Sequence, residues 1–142
     1  MKKFISVLVA AAMMASTLPA GVYAQGNHPN SGIMPLYDCN SKVTTAASAS
    51  GNKVECKSVI AVASGEKWTS VTQTIEKQNS IGKWYSTSTW SKKSDSPTMN
   101  YIFTNTVTIT NSGTYRLRSD LAVEVSNGFT ETVTSYSGNF TI

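Results

Sequence analysis

One stretch of this sequence alternates regularly, and it reads Gly113-Thr114-Tyr115-Arg116-Leu117-Arg118-Ser119-Asp120-Leu121-Ala122-Val123-Glu124-Val125. From position 115, the odd positions are Tyr, Leu, Ser, Leu, Val and Val, whereas the even positions are Arg, Arg, Asp, Ala and Glu. Successive side chains of a strand point to opposite sides of the sheet, so the pattern predicts a strand with one buried and one solvated face. A slip of one residue would bury two arginines, and the register is therefore firmly specified.

Six further segments are predicted to be strands, because β-branched and aromatic residues recur in them between turn signals. They span residues 42–49, 53–63, 68–77, 83–93, 101–110 and 129–142, the last with an interruption at Ser137-Gly138. In residues 83–93, alternation places Trp84, Ser86, Ser88 and Trp90 on one face. Seven strands without helical periodicity predict an all-β fold, a single antiparallel immunoglobulin-like β-sandwich. One core is expected, formed by Ile60, Val107, Ile109, Leu117, Leu121 and Val123.

The first 24 residues have the composition of a secretory signal peptide. Lys2 and Lys3 precede an apolar stretch from Phe4 to Leu18, and Val22-Tyr23-Ala24 forms a small-residue cleavage site. A membrane anchor is the alternative, but the apolar stretch is short and is interrupted by polar residues. Residues 25–40 are rich in Gly, Asn, Pro and Ser and are predicted to be a flexible lead-in. The sandwich domain should therefore occupy residues 41–142 of a secreted protein that has no membrane span after cleavage.

Length and charge limit the function classes. About 118 residues would remain after cleavage, which is enough for one domain of ordinary size. The formal net charge of the chain is +4, and Lys2 and Lys3 contribute two of these charges. The other basic residues are scattered among acids, whereas nucleic-acid binding needs a clustered basic face. A nucleic-acid partner is therefore not expected.

The two cysteines, Cys39 and Cys56, both lie in the part that would be exported. An even number of cysteines in an exported chain favours a disulfide, which here would close an 18-residue loop and contribute roughly 3 kcal/mol. Two free thiols are the alternative. Neither cysteine is near a histidine or a group of acids in the sequence, so a metal site or a thiol nucleophile is not expected.

The residue types that carry catalysis show no useful spacing. His28 is the only histidine, and it lies in the lead-in beside Asn27 and Pro29, where no partner would position it. Asp120 and Glu124 share the solvated face of the first stretch with two arginines, which ordinary surface ion pairing explains. No phosphate-binding loop, nucleophile elbow or zinc-binding helix motif is present. The sequence therefore predicts a protein that is not an enzyme and that needs no cofactor or metal.

Two resemblances extend this interpretation. The segment Asn111-Ser112-Gly113-Thr114-Tyr115 resembles the entry to the sixth strand of immunoglobulin-like domains, in which the hydroxyl of a tyrosine bonds back to the corner. The position two residues after that tyrosine is a cysteine in antibody domains but is Leu117 here, so the inter-sheet disulfide of antibodies is not implied. Most of the chain from Pro35 also resembles small exported proteins of Gram-positive gut bacteria that form a family of unknown function. The motifs of that resemblance are, in order, Pro35-Leu36-Tyr37, Val54-Glu55-Cys56, the Thr-rich strand from Val71 to Lys77, Gly82-Lys83-Trp84, Thr89-Trp90-Ser91, Gly113-Thr114-Tyr115-Arg116 and the segment from Glu131 to Ser137. It implies export and a fold, but no activity.

The aromatic set Trp68, Trp84, Tyr85 and Trp90 is the candidate ligand-binding surface. Exposed tryptophans can stack against sugar rings, and Trp84, Trp90 and Tyr85 are the residues predicted to do so. The alternative is that these side chains bury their large area in packing between strands. The sequence thus predicts a secreted, non-catalytic structural or interaction module that binds an extracellular protein or polysaccharide. A carbohydrate-binding module that uses surface tryptophans is the second hypothesis.

Overall fold

The computed structural model of this protein describes residues 39–142, in which eight β-strands and no helix occur. The strands are β1 (Lys42–Ser50), β2 (Lys53–Ala61), β3 (Lys67–Gln78), β4 (Trp84–Lys93), β5 (Tyr101–Thr108), β6 (Thr114–Glu124), β7 (Thr130–Tyr136) and β8 (Phe140–Thr141). The predicted signal peptide, most of the predicted lead-in and His28 lie outside the described residues.

The strands form two antiparallel sheets that pack face to face, which confirms the predicted β-sandwich. One sheet has the order β1-β2-β5, and the other has the order β4-β3-β6-β7, with β8 also paired to β6. The first, second and fifth strands thus oppose the third, fourth, sixth and seventh. This is how strands A, B and E oppose C′, C, F and G in immunoglobulin-like sandwiches.

The last predicted strand is divided into β7 and β8, which gives eight strands instead of seven. The division lies at the predicted Ser137-Gly138 interruption. Ser137 N–H donates to the Leu117 carbonyl at 2.9 Å, and Ser137 Oγ accepts from Leu117 N–H at 2.9 Å. Both hydrogen-bonding groups of the β6 backbone at this point are therefore satisfied by one residue. Beyond β8, Ile142 and Gly113 exchange two backbone hydrogen bonds of 3.0 and 3.1 Å, which fix the end of the chain to the start of β6.

The register of β6 agrees with the prediction from alternation. The odd positions of β6 are buried between the sheets, and these are Tyr115, Leu117, Ser119, Leu121 and Val123. The even positions are half-buried on the outer face of the four-stranded sheet. Because β6 lies between β3 and β7, this strand sets the inside and outside of the whole sheet.

The predicted role of Tyr115 is also confirmed. Its hydroxyl donates to the Asn111 carbonyl, four residues earlier, at 2.6 Å. The ring stacks on Phe140 with 5.9 Å between centroids, so β8 covers the corner. Gly113 makes the turn with φ +153°, a conformation that other residues rarely adopt.

The interior contains two apolar clusters instead of the single core that was predicted. The first cluster, at the end where β1 begins, consists of Val43, Ile60, Trp68, Val71, Leu121, Val123 and Val125. The second cluster, at the other end, consists of Val54, Cys56, Ile75, Tyr115 and Leu117, with Val107 and Ile109 packed against it. The expected core residues are thus divided between two halves of the sandwich.

A buried polar layer lies between the two clusters and is the reason for their separation. The hydroxyls of Ser58 and Ser119, one from each sheet, are 2.7 Å apart. The Gln73 side-chain amide donates to Ser58 Oγ at 2.8 Å and to the Phe103 carbonyl at 3.0 Å. Asn105 Nδ2 donates to Gln73 Oε1 at 2.8 Å. These polar groups are hydrogen-bonded to one another, so few of them are buried without a hydrogen-bond partner.

Candidate functional site

A β-bulge in β4 changes the predicted position of the tryptophans. Ile75 pairs with Ser88, but the next residue, Glu76, pairs with Ser86, so Thr87 is an extra residue in β4. An extra residue reverses the alternation of side chains beyond it. Trp84 therefore lies on the outer face of the four-stranded sheet, whereas Trp90 lies on the inner face. The prediction that these two tryptophans share one face is wrong.

The four aromatic residues that were predicted as a surface are dispersed. Trp68 is buried in the first cluster, where its Nε1 donates to the Met99 carbonyl at 3.0 Å and its ring stacks on Tyr101. Trp90 is half-buried and packs against the second cluster. Tyr85 is exposed, but it is adjacent to Trp84 along β4 and so points to the opposite face. Only Trp84 remains on the outer face.

Trp84 belongs instead to an aromatic–guanidinium stack on the outer face. The Arg116 guanidinium carbon is 4.2 Å from the ring centroid of Trp84 and 4.2 Å from that of Tyr136. The guanidinium therefore lies between the two rings, at a distance suited to cation–π attraction. Trp84 comes from β4, Arg116 from β6 and Tyr136 from β7, so the stack crosses the sheet. We call these three residues the outer stack.

An ion-pair row fixes the outer stack in place. Arg116 Nε donates to Glu76 Oε2 at 2.7 Å, and Arg118 donates to Glu76 Oε1 at 2.8 Å. Arg118 also donates to Asp120 at 2.9 Å, and the Thr134 hydroxyl donates to the same carboxylate at 2.7 Å. Glu76 is almost fully buried beneath the arginines. Both of its oxygens are thus engaged, and Arg116 is held in the orientation that the stack requires.

Sequence reasoning treated Arg116 as an ordinary surface residue and did not identify Glu76 or Tyr136. The arginines were expected to pair with acids of their own strand, but Glu76 is contributed by β3, where it pairs with Arg116. One signal was available in the sequence. Glu76 is the only acid in the Thr-rich strand β3, so it is the only carboxylate that β3 can bring to the arginines of a neighbouring strand.

The predicted disulfide is not formed, and both cysteines are free. Cys56 lies opposite Ala47 in the β1–β2 pair, whereas Cys39 precedes β1. Lys42 alone is roughly 16 Å from Ala47 along an extended strand, and Cys39 lies farther still. A disulfide needs Cα atoms within about 7 Å. The antiparallel register of β1 and β2 therefore separates the two thiols.

Cys39 and Asn40 were predicted to be the last residues of a flexible lead-in, but both contact the carboxylate of Glu66. Asn40 N–H donates to Glu66 Oε1 at 2.7 Å, and Ser41 N–H donates to Glu66 Oε2 at 2.8 Å. The Cys39 thiol is 3.6 Å from the same carboxylate. Glu66 thereby joins the loop before β3 to the chain before β1.

We call the contacts of Glu66 with Cys39, Asn40 and Ser41 the Glu66 clamp, and these contacts shift the pKa values of Glu66 and Cys39. Burial alone would raise the pKa of Glu66, but the hydrogen bonds from Asn40 N–H and from Ser41 outweigh burial and hold that pKa below its usual value. Burial, followed by the negative charge of Glu66, raises the pKa of Cys39 to about 11. Burial likewise raises the pKa of Cys56 to about 11. Both thiols are therefore protonated at neutral pH.

The described part of the chain, residues 39–142, lacks two further features. No group of three or more histidine, cysteine or acidic side chains in this range is placed to hold a metal ion. No helix in the same range is both long enough and apolar enough to cross a membrane.

Comparisons of the chain with family models, with curated proteins and with solved structures found no match. The outer stack and its ion-pair row must therefore be interpreted from their own geometry.

Proposed function

We propose that this protein is a secreted, non-catalytic interaction module that binds an extracellular protein through the outer face of its four-stranded sheet. The observation that carries the proposal is the outer stack, in which Trp84, Arg116 and Tyr136 form one row across three strands. Tryptophan, tyrosine and arginine are the residue types that contribute most energy at protein interfaces. Here all three are in contact on one face.

The outer stack is also ordered before any partner binds. Arg116 is held by the buried Glu76 carboxylate and by the rings on either side of it. Immobilising a long side chain on binding costs about 0.5 to 1.5 kcal/mol, and most of this cost is already met by the fold. Tyr136 remains 48% exposed, so its area is still available for contact.

The ion-pair row supports a role in binding over a role in catalysis. Both oxygens of Glu76 accept hydrogen bonds from arginines, and Asp120 accepts from Arg118 and Thr134. Every oxygen of these two carboxylates thus already accepts a hydrogen bond from a neighbouring side chain, and the Glu76 side chain is only 6% exposed. We therefore assign these acids to the support of the outer stack.

The carbohydrate hypothesis has less support. It was based on exposed tryptophans, with Trp84 and Trp90 predicted to lie on one face. The bulge at Thr87 places them on opposite faces, and both are half-buried. Trp84 also has Arg116 against one face of its ring, so that face cannot receive a sugar.

Photo-crosslinking tests the proposal. A photoreactive residue would be introduced at Thr132, which is exposed on the outer face of β7, and the matched control would carry it at Ser48, exposed in β1 of the other sheet. We expect protein adducts in culture fluid from the Thr132 position only, and we expect Trp84→Ala or Tyr136→Ala to abolish them. Mass spectrometry of the adducts identifies the partner.

Two outcomes would contradict the proposal. Equal adducts from Thr132 and Ser48, or adducts that persist without either ring, would remove the outer face from the interaction. Retention on purified polysaccharide that is lost in Trp84→Ala, together with no protein adduct, would favour the carbohydrate hypothesis instead.

A further inference from the structure

One strand of the sandwich has an exposed edge that lacks the usual protection. β5 lies at the end of the order β1-β2-β5, and within residues 39–142 no strand pairs with its other edge. An unpaired edge presents backbone donors and acceptors to any strand that approaches. Natural proteins therefore interrupt, charge or cover such edges.

Each of the other three sheet edges has a protective feature. β1 packs against β7 and β8 of the opposite sheet, so the three strands cover one another on that side. β4 contains the bulge at Thr87 and ends in Lys92 and Lys93. The β7–β8 edge is interrupted between Tyr136 and Phe140. The β5 edge is the exception among the described strands.

The sequence of β5 is suited to pairing. The ten residues from Tyr101 to Thr110 contain no charged residue, no proline and no glycine, and nearly all are β-branched or aromatic. This composition is typical of segments that add to another strand. The side chains on its outer face include three threonines, Thr104, Thr106 and Thr108, which are exposed.

Apolar side chains extend the same surface. Ile102 is 54% exposed on β5, and its cross-strand neighbour Val59 is 38% exposed on β2. Met99, two residues before β5, is 64% exposed. These three side chains lie at the end of the sheet where β5 begins. Contact with another molecule would remove their apolar area from water.

We propose that two copies of this chain associate by antiparallel pairing of their β5 strands, which joins two three-stranded sheets into one six-stranded sheet. Such a contact has two-fold symmetry, so each surface must complement itself. A charged residue near the axis would meet its own copy, and β5 has none. In a continuous sheet, outer-face residues pair with outer-face residues, so threonines would face threonines, which is a favourable cross-strand pair. A second copy therefore fits this edge without repulsion.

The hydrogen bond from Gln73 to the Phe103 carbonyl is compatible with this pairing. Ile109 N–H donates to the Asn52 carbonyl, so in this register the odd residues of β5 direct their backbone groups toward β2. The Phe103 carbonyl that accepts from Gln73 therefore faces β2, and this hydrogen bond leaves the free edge of β5 open. Gln73 also supports Asn105 on the same strand, which keeps β5 extended.

A charge-swap experiment tests the dimer. Sedimentation of the whole chain over a range of concentrations should show a monomer–dimer equilibrium. Thr104 is in the middle of β5, so it lies next to the axis when the two strands pair along their whole length. Thr104→Lys and Thr104→Glu should each weaken dimerisation by at least about fivefold, because like charges then meet near the axis. An equimolar mixture of the two variants should recover dimers, now as mixed pairs. Circular dichroism at each step confirms that the variants remain folded.

The control is Thr44→Lys, which is exposed on β1 at the opposite edge of the same sheet and should leave dimerisation unchanged. A chain that stays monomeric at all accessible concentrations would overturn the proposal, including the case in which residues 1–38 of the same chain cover β5. A dimer that is insensitive to both Thr104 changes, or that Thr44→Lys weakens equally, would also overturn it.

Discussion

At the scale of single residues, Glu66 shows how one buried carboxylate fixes the chain segment that leads into the first strand of the sandwich. It accepts hydrogen bonds from two consecutive backbone N–H groups, those of Asn40 and Ser41, and from the Ser41 hydroxyl. Several donors directed at an ionised carboxylate favour its charged form. The chain before β1 is therefore attached to the loop before β3 by a contact that depends on charge.

Replacing Glu66 should reduce stability and change its dependence on pH. Glu66→Gln leaves two N–H donors with poorer partners, and we expect a loss of about 1 to 3 kcal/mol at pH 7. Because the folded pKa of Glu66 is lowered, its stabilisation is present above the unfolded pKa and is lost as pH falls through the folded pKa. Urea unfolding at pH 7 and in the acidic range measures both effects.

The control for this prediction is Glu55→Gln, on the exposed face of β2. It should change stability by less than about 0.5 kcal/mol. If the difference in stability between the Glu66→Gln variant and the wild type were the same at acidic and neutral pH, the assignment of a lowered pKa to Glu66 would be wrong.

The cysteines give a second prediction at this scale. Under denaturing conditions without a reducing agent, an alkylating reagent should add to both Cys39 and Cys56, because neither is bonded. In the folded protein near pH 7 both should react slowly, since the reactive thiolate is scarce when the pKa is about 11. Intact mass spectrometry counts the adducts. An unmodified mass after denaturation would show that the disulfide forms after all.

At the scale of strands, β4 and β6 differ in how they follow the rule of alternation. β6 is continuous, so each of its side chains lies where the sequence pattern predicts. β4 contains one extra residue, and every side chain after it changes face. The same rule therefore gives a correct result for Leu121 and a wrong one for Trp90.

The β6 register predicts unequal effects at adjacent positions. Leu121 is fully buried, so Leu121→Ala should destabilise the fold by about 2 to 5 kcal/mol. Ala122 lies on the outer face, and Ala122→Ser should cost under about 0.5 kcal/mol. Chemical denaturation of both variants provides the comparison. Equal losses at the two positions would show that the register is not the one described.

The bulge in β4 predicts a similar contrast between two tryptophans. Trp90 packs against the second cluster, and Trp90→Ala should cost about 3 to 5 kcal/mol. Trp84 contributes mainly its contact with Arg116, so Trp84→Ala should cost about 0.5 to 2 kcal/mol. Thermal unfolding measures both changes. A larger loss for Trp84 would contradict the placement of the two residues on opposite faces.

These contrasts show what could be predicted from the sequence. The strand limits followed from local signals, such as the Gly51-Asn52 turn and the alternation around Leu117. The corner bond of Tyr115 followed from a short motif. The bulge at Thr87 cannot be recognised from the sequence of β4, because Ser and Thr residues give both faces of the strand the same polarity there. The separation of Cys39 from Cys56 and the pairing of Arg116 with Glu76 depend on strand register, which a composition argument does not contain.

At the scale of the whole molecule, the buried polar layer divides the interior into two halves. Ser58 and Ser119 come from opposite sheets, and Gln73 links them to β5. Each of these bonds has a directional requirement that apolar contacts lack. The layer therefore fixes the position of one sheet along the other.

Replacing one polar side chain of the buried layer should destabilise the fold by more than the change in side-chain size implies. Gln73→Leu removes the partner of Asn105 Nδ2 and one of the two hydrogen bonds of Ser58, whose bond to Ser119 remains, and we expect a loss of about 1 to 3 kcal/mol from the unsatisfied buried amide. Ser58→Ala combined with Ser119→Ala removes two groups that are bonded to each other, so the double change should cost less than the sum of the single changes. A thermodynamic cycle from urea unfolding measures the coupling, and additive losses would contradict it.

The attachment of residues 39–41 and of Ile142 at opposite ends of the sandwich has a mechanical consequence. The Glu66 clamp lies where β1 begins, and the Gly113–Ile142 pair lies at the opposite end of the sandwich, beside the second cluster. Tension applied between residues 39 and 142 therefore acts along the strand axes, whereas the hydrogen bonds between strands run perpendicular to those axes. Such a load strains the bonds of β7 and β8 to β6 together, not one after another as in peeling. The domain should thus resist stretching from its ends and yield more easily when it is pulled from a hairpin turn.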